Sequence, residues 1–151
     1  MNIADRCKEL NDTACSYDYW DARLLGAYSD AFLSRLVLFQ ENDEKSVVRY
    51  SFGECYQIQF IHADEEVQTA GRHRWPPENY TYPQIDYFIH DISFSPKQQG
   101  SNTLIECRVD AGIATLYILC GRAEIQLLNI EELPPKERAN IVLWDGAGGT
   151  G

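Results

Sequence analysis

Positive charge is scarce in this chain. Its 151 residues carry 13 Lys and Arg against 23 Asp and Glu, a formal net charge of −10. A general nucleic-acid binder needs a cationic surface to displace counterions, so this balance argues against one. Long apolar runs are also missing. The longest, 113–120, is strand-sized and far short of the roughly 18 residues of a membrane helix. The opening Met1-Asn2-Ile3-Ala4-Asp5-Arg6 is polar and holds no apolar signal core, so a cytoplasmic protein with no membrane partner is expected. Five cysteines, at 7, 15, 55, 107 and 120, show no CxxC spacing. That fits free, mostly buried thiols in a reducing compartment better than a disulfide framework. GxSxG, Walker A, GxGxxG and HExxH signatures are absent as well, and neither cofactor nor metal is expected.

What is present is period-two alternation. Hydrophobic residues make up 44% of the chain, enough for one core. Ile3, Cys7 and Leu10 predict a helix over 2–12, with Asn2 as its cap. Apolar faces then follow at Trp20/Ala22/Leu24, Phe32/Leu36/Leu38, Val48/Tyr50/Phe52 and Tyr56/Ile58/Phe60/His62. After a gap they resume at Phe88/His90/Ile92/Phe94, Ile105/Cys107/Val109, Ala114/Leu116/Ile118/Cys120 and Ala123/Ile125/Leu127. Gly53 and Gly121 punctuate the two halves alike, Phe52-Gly53 echoing Cys120-Gly121. The expected fold is mainly β: an antiparallel β-sandwich or a strongly curved sheet of about eight strands, with short terminal helices. A single domain is expected over 1–145, with a helix over 136–143 near its end and a flexible Gly-rich tail at 146–151. The stretch 63–84, with Pro76, Pro77 and Pro83, reads as a long loop of the kind that carries function.

Candidate binding residues gather in two places. Asp18 and Asp21 flank Trp20. The long loop holds the acidic run Asp64, Glu65 and Glu66 and the set Arg72, Arg74 and Trp75. Trp and Arg are enriched at interface hot spots, and Trp75 beside two prolines reads as an anchor. His90, on apolar parity, reads as a hydrogen-bonded core histidine.

The segment Tyr19-Trp20-Asp21-Ala22-Arg23-Leu24, with two alternating strands and a strand ending Phe52-Gly53, resembles small bacterial proteins of antiparallel β architecture. The stretch from Tyr87-Phe88-Ile89-His90-Asp91-Ile92 to Ala123-Glu124-Ile125 is similar to immunity partners of secreted polymorphic toxins. The resemblance implies a non-catalytic cytosolic protein that neutralises a cognate toxin by occluding it, and it carries over no catalytic residue. An acidic inhibitor suits a basic toxin domain, since opposite charges steer the encounter. Two other readings stand beside it: a β-sandwich that binds a small ligand or joins an assembly, and a small enzyme with a Cys–His or carboxylate site.

Overall fold

The computed structural model describes residues 2–30, 32, 34–62, 87–112 and 114–141. Asp64, Glu65, Glu66, Arg72, Arg74 and Trp75, and the expected tail 146–151, lie outside these residues.

Helix α1 spans Ile3–Ser16 and starts where Asn2 accepts the Asp5 N–H at 2.8 Å. It outruns the expected 2–12 because Ala14 continues the stripe of Cys7 and Leu10, and all three are buried. The strands are β1 (Leu24–Asp30), β2 (Arg35–Glu41), β3 (Ser46–His62), β4 (Asp91–Gln99), β5 (Asn102–Asp110) and β6 (Ala114–Asn129). They form one antiparallel sheet in the order β1-β2-β3-β6-β5-β4.

Among the described residues six strands replace the expected eight, because neither Gly53 nor Gly121 ends a strand. Gly53 pairs with Arg122 within a β3–β6 ladder that runs from Ser46↔Asn129 to His62↔Ala114. The irregularity is instead a bulge between Cys55 and Gln57, just after Glu54 at φ 52°. Tyr50, Phe52, Cys55 and Ile58 all pack at the inner core, so the even inward parity breaks at Cys55, past left-handed Glu54, and the extra residue of the bulge restores it at Ile58. Pro96 does not end its strand either. It lies in edge strand β4, where a missing N–H faces no ladder. The sheet is thus two three-stranded meanders joined by their longest strands, with the two glycine-punctuated segments side by side at its centre.

The sheet is curled, the second of the two forms expected. In a flat sheet, three strand spacings would hold β3 and β4 about 14 Å apart. Yet the Phe52 and Phe94 rings stack at 6.3 Å. Helix α1 packs across β4, β5 and β6, and the inner core gathers Leu10, Tyr50, Phe52, Phe94, Ile105 and Ile118. Gln40 lies buried in it: its amide donates to the Tyr17 carbonyl at 3.1 Å and its oxygen accepts from the Tyr50 hydroxyl.

The outer face of β1–β3 has its own cluster, Leu25, Val37, Phe39 and Val47, covered by Leu133. Leu133 belongs to a C-terminal strap made of a 3-10 turn (Ile130–Glu132) and helix α2 (Pro135–Arg138). Of the expected helix 136–143, the described residues form this single turn, begun by Pro135. Glu137 pins the strap: its buried carboxylate meets Arg49 at 2.9 Å and Arg35 at 3.5 Å.

Candidate binding surface

The two sheet edges meet at one end. Leu24 N–H donates to the Tyr87 carbonyl at 2.7 Å, Ile89 N–H to Ala22 at 2.8 Å and Asp21 N–H to Ile89 at 2.8 Å. This stitching, with an antiparallel bridge Arg23↔Phe88, occupies residues 21–24, leading into β1, and 87–89, before β4. Backbone pairing here leaves the residues just before it, 17–20, as a turn rather than the strand start expected from the alternation of Trp20, Ala22 and Leu24.

That turn presents Trp20. Its side chain is 64% exposed, although tryptophan is a residue usually well covered. Asp18 and Asp21, on either side, are exposed and left-handed at φ 49° and 61°. Aspartate tolerates this conformation better than most residues, and two so close together fix the turn. The indole ring lies 6.1 Å from the His90 ring, and a Cβ at Gly112 would touch that imidazole at 3.5 Å. His90 is therefore exposed beside Trp20, not in the core: the stitching puts Ile89 inward and turns its neighbour out.

More acidic groups adjoin the turn. The Tyr19 hydroxyl donates to Asp91 Oδ1 at 3.1 Å, and burial followed by the Asp91 carboxylate pushes the phenol pKa up. Asp91 pairs in register with Asp110, whose carboxylate accepts the Gly112 N–H at 3.0 Å. Asp18, Asp21, Asp91 and Asp110 thus border one exposed Trp–His pair. Of the residues singled out from the sequence, the structure places Asp18 and Asp21 here. Trp20, His90, Asp91 and Asp110 were not among the candidate binding residues, His90 being expected in the core. The signal for Trp20 was present in Tyr17-Asp18-Tyr19-Trp20-Asp21, where two aspartates mark turn positions.

The described residues on either side of 63–86 lie at this same end of the sheet. His62 pairs with Ala114, two residues from Gly112, and the Phe60 and Tyr87 rings meet edge-on at 6.1 Å.

Residues 6–127 match the family described as Immunity protein PIM7. The chain belongs to that family. The match takes in the Trp20 turn, both meanders and most of β6, and stops short of the C-terminal strap. No curated protein matches the chain. Among solved structures it is similar to an uncharacterized protein from Neisseria gonorrhoeae, at 15% identity and a TM-score of 0.46, over 71% of this chain and 91% of that one. Membership in an immunity-protein family gives the chain an immunity function.

Two other chemistries were open from the sequence. Catalysis by a Cys–His pair needs a thiolate. Burial pushes the Cys107 thiol well up and Cys120 up to about 12, while His90 sits with Trp20 instead. Among the described residues no three His, Cys, Asp or Glu converge as metal ligands. A groove of about 510 Å³ crosses the outer face, lined by Arg35, Arg49 and Arg122 and by Asp30, Glu54 and Glu124. The formal charges of these six residues cancel.

Proposed function

We propose that this immunity protein neutralises a cognate toxin by binding and occluding it in the cytoplasm, without catalysis, and that Trp20 and its aspartates are part of the docking surface. One observation carries the reading: a two-thirds exposed tryptophan held out between two left-handed aspartates. An apolar anchor ringed by charge is the usual anatomy of a hot spot, and an acidic rim fits a basic partner. The loop residues Asp64, Glu65, Glu66, Arg72, Arg74 and Trp75 belong to the same proposal. They are tethered between His62 and Tyr87, both of which lie at the Trp20 end.

The test uses a toxin domain recovered as this protein's binding partner, sought among the products of neighbouring genes. Trp20→Ala should speed dissociation and weaken binding by at least about thirtyfold, a hot-spot loss of about 2 kcal/mol. Asp18→Lys with Asp21→Lys should slow association and flatten its salt dependence. Trp75→Ala should behave like Trp20→Ala. If all these variants bind and protect like the parent chain, docking lies elsewhere. Continued turnover of substrate by the saturated complex would refute occlusion.

A further inference from the structure

We propose that Cys55 and Cys120 form a dithiol site that closes into a cross-strand disulfide at the centre of the sheet when a small disulfide, such as glutathione disulfide, serves as oxidant.

The two residues face each other directly in the β3–β6 register. Both lie on the inner face, Cys120 in the core and Cys55 packed against it. The Cys55 N–H donates to the Ser34 carbonyl at 2.9 Å, toward β2. An N–H aimed at β2 is not exchanged with β6, so this is a non-hydrogen-bonded pair. In such pairs the Cα atoms stand only about 4.5 Å apart and the side chains are at their closest. Disulfides span Cα separations of about 4.4–6.8 Å, so a pair at this ladder spacing is in bridging range, and closure turns the Cys55 side chain from the Phe52 carbonyl toward Cys120. No other cysteine has this arrangement. Cys107 pairs with Phe94 and Ile118, Cys7 and Cys15 lie on α1, and Cys15 is exposed.

Access fixes the order of events. Cys55 is only partly buried, and its Sγ lies 3.6 Å from the Phe52 carbonyl; Cys120 is fully buried. The Cys55 thiolate attacks one sulfur of the oxidant, breaks its S–S bond, expels one thiolate and forms a mixed disulfide. The Cys120 thiolate then attacks the Cys55 sulfur and expels the second. The protein gives up two hydrogens and the oxidant leaves as two thiols. Burial raises both protein thiols, so thiolate is scarce at neutral pH and the pair stays open until oxidant persists. Once closed, the bridge ties β3 to β6, the strands that join the two meanders.

The full-length protein is incubated with glutathione disulfide at about pH 8.5, where more thiolate forms, then alkylated and mapped by mass spectrometry. The expected product has lost two hydrogens and contains a reductant-sensitive Cys55–Cys120 cross-link. It should also unfold at a higher urea concentration than the reduced protein. Cys120→Ala should stop at a glutathione adduct on Cys55, and Cys7→Ala should still form the cross-link. Should Cys120→Ala fold poorly, the wild-type map alone decides. Glutathione adducts without a cross-link, or a cross-link between any other pair, would overturn the assignment.

Discussion

Replacing Tyr50 or Gln40 should expose how much one buried polar chain contributes to this curled sheet. Gln40 has no solvent exposure and Tyr50 has 2%. The Tyr50 hydroxyl donates to Gln40 Oε1, and Gln40 Nε2 donates to the Tyr17 carbonyl at the end of α1. Tyr50→Phe leaves the Gln40 oxygen buried without this donor, at a cost of about 1–3 kcal/mol. Gln40→Leu strands two groups, the Tyr50 hydroxyl and the Tyr17 carbonyl, so about 2–5 kcal/mol is expected. The double variant strands only the Tyr17 carbonyl and should cost about 1–3 kcal/mol, well below the sum of the singles. Urea denaturation measures each value, with the slope m checked for constancy. Additive effects, or a Tyr50→Phe loss under about 0.5 kcal/mol, would refute the claim that the two side chains share one bond in the core. Burial holds the Tyr50 phenol far above its ordinary range, so it should show no ionisation in native protein at mildly alkaline pH.

Three further outcomes follow from the geometry. The Arg23 guanidinium, 2.7 Å from Glu41, holds that carboxyl below its ordinary value. This stability is present above the normal carboxylate range and is lost as pH falls through the folded value. Glu41→Gln should therefore cost about 1 kcal/mol or less at pH 7 and make no difference in strong acid, as read by denaturation at several pH values. A Cβ at Gly26 would overlap the Asn140 carbonyl, so Gly26→Ala should displace the strap and lower stability by about 1–3 kcal/mol. A chromogenic disulfide reagent should label exposed Cys15 first and buried Cys107 only on unfolding; early labelling of Cys107 would show that the inner face opens.

The linear pattern by itself determined the mainly-β class. Alternation at Val48/Tyr50/Phe52 and Ile105/Cys107/Val109 puts one face of each strand in the core whatever its partner. Asn2 and the stripe from Cys7 likewise specified α1, because caps and helical periodicity are local. The strand count was not local. Gly53 and Gly121 look like breaks, and only the β3–β6 ladder, whose cross-strand hydrogen bonds carry the backbone past them, makes each a mid-strand residue. The site divides in the same way. Asp18 and Asp21 were legible as charged residues around an aromatic, since composition and turn preference travel with the residue. Trp20 alternates with Ala22 and Leu24 as any strand residue would, and His90 as any core residue would. Their exposure was decided when residues 21–24 paired with 87–89. That contact spans more than sixty positions of sequence and arises because the sheet curls far enough for its two edges to share hydrogen bonds that solvent would otherwise take.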